Sequence, residues 1–302
     1  MHCHLDFMQN GEQVAADAAS AGTLLFANTV TPEGWQAARE RFADFNNVFV
    51  GFGMHPWWVS ESAGRLDDAY VARQASSQRA EHKRLVAQQE AQISAQGDAR
   101  VKSEHPSRDN TGSSHETTRP ESVVALLAEH DPVLIGEIGL DFGWRHAASR
   151  EMQTTMFESI ASWSAERGGK LLSLHSIKAA GETLDVLERS GALEACTCVF
   201  HWFSGASDQL KRAVDAGCYF SCGPRMLATK RGREYVKAIP APRLLLETDA
   251  PPEQGQVYSY EELRRGLEDV ATSVAAIKGP ESLETISQTA QALLTSYLRP
   301  LA

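Results

Sequence analysis

The sequence predicts an α/β protein folded as a (β/α)8 TIM barrel, with a long polar insertion between strands 3 and 4. Three observations carry that prediction. Eight short apolar runs recur along the 302 residues, with amphipathic stretches between them. The runs are rich in β-branched and aromatic residues and lack clean polar alternation, as strands covered on both faces should be. Imidazole or carboxylate side chains close five of the runs, where a barrel places its catalytic groups. An open doubly wound sheet is the competing arrangement, but it would gather ligands at one switch point and not around a circle.

In chain order, strands are expected near 2–6, 23–29 (TLLFANT), 48–54 (VFVGFGM) and 133–138 (VLIGEI). Four more are expected near 171–175 (LLSLH), 198–202 (CVFHW), 218–222 (CYFSC) and 243–248 (RLLLET). The amphipathic stretches GWQAARERFADF, EMQTTMFESIASWSAERG, AGETLDVLERSG and ASDQLKRAVDAG fit crossover helices. A last helix over 281–298 would close the barrel. The rhythm breaks once, between the third and fourth strands, where residues 70–120 hold no Phe or Trp and become polar toward their end. The first half of that interval reads as a solvated helix, and 96–120 reads as disordered. We expect one domain over 1–302 with 70–120 as a surface insertion; a mobile lid is the alternative, because the segment leaves from the catalytic end just after His55.

Composition narrows the function. Hydrophobic residues make up 42% of the chain, an ordinary globular share. No apolar run approaches the ~18 residues that a membrane span needs. The start, MHCHLDFMQN, has no basic or apolar leader region, and five cysteines suit a reducing compartment, so a cytoplasmic location is expected. A net charge of -10 disfavours nonspecific coating of nucleic acid or anionic membranes. It leaves an enzyme open, since bound cations can reverse the local field at one site. No protein partner is implied.

The chemistry lies in the run-closing residues. His2 and His4 are two apart, so on a strand they point the same way and can share an ion. Asp249, in LLLETDAP on the last strand, meets them where the barrel closes. Glu137, in VLIGEIGLD, can bridge to a second ion held by His175 (LLSLHS) and His201 (VFHWFSG). Imidazole and carboxylate together suit zinc, manganese or iron, with magnesium also open, and two such ions promote phosphoryl transfer. Asp249 is the best general base, because as a ligand it lies beside the attacking water. Each residue also has a bland role. His175 or His201 alone would be a hydrogen-bonded core histidine, Glu137 could pair with Arg145, and Asp249 before Ala-Pro-Pro could be a turn residue. The ordered series of six is what argues for a metal centre.

With those residues in view, the chain resembles the TatD family of metal-dependent DNases, among the amidohydrolase-like barrels. The matching stretches are HCHLDF, GMHPWW, IGEIGLDFG, HSIKAAGETLDVL, HWFSG, YFSCGP and AIPAPRLLLETDAPP, which cover most of the chain outside 60–120. The resemblance implies a (β/α)8 barrel, phosphodiester hydrolysis, often 3′ to 5′ on DNA, and ligand roles for His2, His4, Glu137, His175, His201 and Asp249. Two departures stand out. Relatives usually carry several residues ahead of the His-x-His pair, so the first strand here is either very short or preceded by further chain. The polar insertion is absent from the family pattern.

Around the ligands, His55 ends the third strand and is expected to donate to a phosphate oxygen; packing beside Trp57 and Trp58 is the alternative. Arg225 is the favoured phosphate contact, since barrels commonly grip phosphate after strands seven and eight; Lys230, Arg231 and Arg233 are as compatible with a solvated helix face. Asp141 and Glu247 are expected to orient ligands by hydrogen bonds. Trp202 is read as core, with base stacking as the alternative. A structural zinc site from Cys196, Cys198, Cys218 and Cys222 is disfavoured, because Cys-x-Cys within a strand lacks the loop geometry of zinc knuckles. Cys3 should point away from the histidine pair.

The leading function is therefore a two-metal phosphodiesterase acting on DNA or a small phosphodiester. Hydrolysis of an amide or ester on the same centre is the first alternative; Glu137, where many such barrels carry a carboxylated lysine, tilts the choice toward phosphodiesters. A nonenzymatic interaction protein is the second.

Overall fold

The computed structural model describes residues 2–61 and 119–297. The expected insertion, apart from its last two residues, lies outside the described residues. Eight parallel strands follow one another around the sheet in chain order: β1 (His2–Cys3), β2 (Leu25–Asn28), β3 (Val48–Met54), β4 (Leu134–Asp141), β5 (Leu171–Ile177), β6 (Thr197–His201), β7 (Tyr219–Cys222) and β8 (Leu244–Leu246). The ring closes just beyond β8. Asp249 N–H donates to His2 O at 3.1 Å, and His4 N–H donates to Ala250 O at 2.8 Å. The (β/α)8 barrel expected from the sequence is thus the architecture.

Strand boundaries shift by a residue or more at several strands, and three of the shifts have a clear physical cause. The first strand is two residues long and not five, because the backbone leaves the sheet at once, with a 3-10 turn over Leu5–Phe7 closed by Phe7 N–H to His4 O at 3.0 Å. The last ladder stops at Leu246; Glu247 N–H still donates to Cys222 O at 3.0 Å, and Thr248 and Asp249 N–H then turn to His2 O for closure with β1. β4 runs on to Asp141, farther than 138, with every residue buried. Its extension depends on Gly139, whose φ is +132° and whose added Cβ would stand 2.2 Å from His175 O.

Helices cover the outside of the barrel. The helix Pro32–Arg41 starts where Thr31 caps Gly34 N–H at 3.0 Å, with Pro32 in the first turn. Arg150–Arg167, Ala180–Arg189 and Ser207–Asp215 correspond to three of the expected crossover helices. The last helix, Ser282–Tyr297, was expected; the long helix Tyr260–Lys278 was not. Its start is a reciprocal cap, in which Ser259 Oγ accepts from Glu262 N–H at 3.1 Å and Glu262 Oε2 accepts from Ser259 N–H at 2.8 Å.

Alternation along the strands separates the outer core from the barrel interior. Phe52, Ile135, Leu172, Leu174, Phe200 and Phe220 belong to the large buried cluster beneath the helices. Leu134, Leu171 and Val199 form a separate cluster, with Phe26, Phe49, Tyr219, Leu245 and Tyr297 packed on it. Tyr297 anchors the last helix there through a 2.6 Å hydrogen bond between its hydroxyl and Thr197 Oγ1. Going up β5, Leu171, Ser173 and His175 occupy successive same-face positions, from apolar cluster to polar site. The described residues belong to one compact unit, and no helix among them is long and apolar enough to cross a membrane.

Candidate metal centre

The six expected ligands come together from β1 and the residue after it, the middle of β4, β5, β6 and the segment just beyond β8. Glu137 lies at their centre, and its two oxygens face different neighbours. Oε2 is 3.4 Å from His2 Nε2 and 3.4 Å from His4 Nε2. Oε1 is 2.7 Å from His175 Nδ1 and 3.0 Å from His201 Nε2. Asp249 completes the first group, with Oδ1 3.4 Å from His4 Nε2 and 3.7 Å from His2 Nε2. Glu137 and the four histidines are buried, while Asp249 keeps some exposure. Asp249 has a left-handed backbone, with φ 53°, a costly conformation for a non-glycine residue and one that clusters at functional sites.

Each ligand imidazole has its outer nitrogen occupied. His4 Nδ1–H donates to Asn28 O at 3.0 Å, and His2 Nδ1 shares a 3.0 Å hydrogen bond with Ser173 Oγ. His201 Nδ1–H donates to Glu247 Oε1 at 3.4 Å, and His175 Nε2–H donates to Asp141 Oδ2 at 3.3 Å. Occupied outer nitrogens turn the inner nitrogens toward the carboxylates, where each ring, once neutral, presents the lone pair that metal ligation requires. The inner nitrogens of His2 and His4 lie only 3.4 Å apart, so two lone pairs would repel unless a proton or a cation lay between them. Four imidazole nitrogens and two carboxylates, one with an oxygen on each side, fit two borderline divalent ions.

The electrostatics follow from burial set against pairing. Burial opposes charge on His4, yet Asp249 and Glu137 outweigh it and raise the ring to about 10. His201, equally opposed by burial, is held well above the ordinary imidazole value by Glu137 and Glu247. Burial pushes Glu137 and Asp249 up, but the surrounding rings hold both well below the usual carboxylate range. Burial lowers His2, and the neighbouring His201 lowers it further.

The other expected residues also reach the site. His55 Nε2 lies 3.3 Å from Glu137 Oε1, within a group His55, Glu137 and His175 that is itself tight enough to hold an ion. Its Nδ1, however, accepts the Trp57 backbone N–H at 3.2 Å, so the neutral ring carries its proton on Nε2. Burial lowers this ring to about 4, which keeps it neutral near pH 7. Arg225 sits at the rim, with Nη1 3.4 Å from Asp249 Oδ2 and its guanidinium 5.5 Å from the Trp202 ring centre. Trp202 is half-buried and packs against the core while carrying that arginine. Lys230, Arg231 and Arg233 lie exposed on the helix Lys230–Ala238.

Four contributors went unmarked in the sequence. Ser173 holds His2, and the Asn28 carbonyl holds His4. Ser221 donates from its hydroxyl to Glu247 Oε2. Trp57, read only as a packing neighbour, donates its indole N–H to Asp141 Oδ2 at 2.6 Å. The two serines could have been found, since each is a polar residue inside an apolar run, and Ser173 stands two before a ligand. Cys3 is buried against Phe26 O, and burial pushes its thiol up to about 12. No cysteine belongs to any of the three metal-capable groups among the described residues.

Comparison with known proteins agrees with this geometry. A family model described as "TatD related DNase" matches residues 1–297. "Deoxyribonuclease Tat-D" of Schizosaccharomyces pombe is 35% identical over 119 residues, covering 39% of this chain and 38% of that protein. "3'-5' ssDNA/RNA exonuclease TatD" of Klebsiella pneumoniae is 33% identical over 150 residues, covering 49% of this chain and 55% of that protein. The chain thus spans about half the length of the curated relatives it matches. The crystal structure of the TatD homolog YJJV from Escherichia coli superposes with a TM-score of 0.67 at 20% identity, over 98% of this chain and 96% of that one. On the whole-length family match, the chain belongs to the TatD-related DNase family.

Proposed function

We propose that the protein is a metal-dependent phosphodiesterase that hydrolyses single-stranded nucleic acid from its 3′ end. The observation that carries the proposal is the division of Glu137, with one oxygen toward His2 and His4 and the other toward His175 and His201. A carboxylate so placed would serve two ions at once, and relatives named as a deoxyribonuclease and as a 3′-5′ exonuclease support the substrate class. When bound, two divalent ions supply Lewis acidity to a phosphoryl oxygen and lower the pKa of the attacking water.

The chain's own groups have separate tasks in this scheme. His2, His4 and Asp249 would hold one ion and His175 and His201 the other, with Glu137 contributing to both. Asp249, ionised and at the mouth, takes the proton of the attacking water. His55, neutral with its proton on Nε2, donates to a phosphate oxygen. Arg225, tied to Asp249 from the rim, neutralises the next phosphate. Asp141 and Glu247 keep the tautomers of His175 and His201. All five cysteines are free thiols, which suits the cytoplasmic placement expected from the sequence.

The test is hydrolysis of 3′- and 5′-labelled single-stranded DNA by metal-reconstituted protein, beside an aryl phosphodiester and an amide. Turnover should require metal, stop with chelator and shorten the strand from its 3′ end. Asp249→Asn should lose at least about a hundredfold in kcat while keeping its fold. Full activity in chelator would defeat the proposal, and cleavage of the amide alone would replace it with amide hydrolysis.

A further inference from the structure

We propose that Trp144 is a base-stacking platform for an unpaired nucleobase of the substrate strand; this rests on the nucleic-acid reading above and extends it to strand specificity. Trp144 is 78% exposed, the most exposed of the large apolar side chains among the described residues. A single exposed apolar residue is ordinary on a protein surface; this one is set apart by its mounting. It stands with Arg145 at the tip of a tight turn, closed by His146 N–H to Gly143 O at 3.0 Å.

Both feet of that turn are fixed to the metal centre. On one side Gly143 N–H donates to Asp141 Oδ1 at 2.7 Å, and the other oxygen of Asp141 takes the His175 and Trp57 hydrogen bonds. On the other side His146 lies flat against Trp57, with ring centres 5.5 Å apart and planes 9° from parallel. Three residues span at most about 10 Å, so the backbone of Trp144 stays within that reach of Asp141, the residue that holds His175.

The chemistry selects the ligand. The Arg145 guanidinium lies over one face of the indole, 5.0 Å from its ring centre, so the face offered to a base is the opposite one, in a ring already carrying a cation. A base presents its own π-face to such a platform, with little regard to its identity. Inside a duplex that face is already covered by the neighbouring pairs, so apart from a terminal pair it is an unpaired base that can take the position. Stacking also answers a difficulty raised by composition. A chain with net charge -10 gains little from nonspecific phosphate attraction, whereas stacking does not depend on charge.

The test measures binding of a fluorescent single-stranded oligonucleotide by anisotropy. Metal-loaded protein is used, and phosphorothioate linkages keep the strand intact. Trp144→Ala should weaken binding on the order of tenfold, and Trp144→Phe should retain most of the affinity. The ratio between wild type and Trp144→Ala should hold as salt is raised, although both affinities fall. On a strand lacking bases at its last positions, wild type should drop to the affinity of Trp144→Ala. Metal content and melting temperature of the variants confirm the fold.

Equal affinities of wild type and Trp144→Ala for the base-bearing strand would overturn the platform. So would the same loss on the abasic strand, which would assign Trp144 to ordering the loop. Hydrolysis is scored separately. A protein that cleaves phosphodiesters but shows no Trp144 dependence refutes only the platform. One that shows the dependence but cleaves nothing refutes only the hydrolase reading.

Discussion

Metal binding at this centre should displace protons, and the imidazoles set how many. In the metal-free protein His4 Nε2 lies 3.4 Å from Glu137 Oε2 and 3.4 Å from Asp249 Oδ1. Burial opposes charge there, but those two carboxylates raise the ring to about 10. Near pH 7 about one ring in a thousand then has a free inner lone pair, a barrier to ligation of about 4 kcal/mol. His201 is held well above its usual value for the same kind of reason, burial again overcome by Glu137 and Glu247. Ligation requires both rings to be neutral. Each proton displaced makes the apparent affinity rise about tenfold per pH unit, so one proton gives about a hundredfold between roughly pH 6.5 and 8.5. The sign is fixed: affinity tightens as pH rises, and the effect fades once pH passes the raised values. Titration calorimetry with Mn²⁺ in two buffers of different ionisation enthalpy counts the protons directly. One to two protons released per protein near pH 7 is the expected result. A binding enthalpy identical in both buffers, with an affinity flat across that range, would refute the charge assignment.

Two further substitutions probe the scaffold around the ligands. Ser173→Ala removes the hydroxyl 3.0 Å from His2 Nδ1 and should weaken metal binding about 10- to 100-fold, as loss of a group that orients a ligand typically does; competition with a metallochromic chelator reads it. Gly136→Ala would set a Cβ 2.5 Å from Asn28 Oδ1 and 2.5 Å from Ser173 Cβ. It should cost about 1–3 kcal/mol in denaturant melts by overpacking the barrel interior beside Glu137.

The candidate ligands could be proposed from the sequence because barrel geometry imposes a simple rule on them. A group that serves the mouth must stand at the end of a strand, and the sequence shows where strands end. His175 closes an apolar run, and so does His201, which places them at the same height on neighbouring strands. Strand ends themselves were less legible at β1 and β8. There the backbone satisfies its hydrogen bonds by ring closure, through Asp249 N–H to His2 O, and not by a ladder. The helix Tyr260–Lys278 was missed despite a readable start, since Ser259 and Glu262 have the spacing of a reciprocal cap. Residues 70–120, read as an insertion, lie outside the described residues apart from the last two.

What stayed hidden is the layer that orients the ligands, and the reason is physical. A ligand is marked by its own chemistry, but an orienting residue is marked only by what lies opposite it. Trp57 holds Asp141 across 84 positions of sequence, and the aromatic pair in GMHPWW reads equally well as packing. The Asn28 backbone carbonyl fixes His4, and a carbonyl has no side-chain signature at all. Ser173 and Ser221 were the exception in principle. Each breaks an apolar strand with one small hydroxyl, and a buried hydroxyl needs a partner. Period two along β5 places Ser173 on the face of His175, which predicts a partner inside the barrel. Choosing His2 as that partner requires knowing that β1 crosses the same interior from the far side of the closure. The same dependence makes Trp144 readable only in three dimensions. Exposure alone gives it no meaning, and its value as a platform comes from Asp141 and His146, which fix its turn beside the ligand cluster.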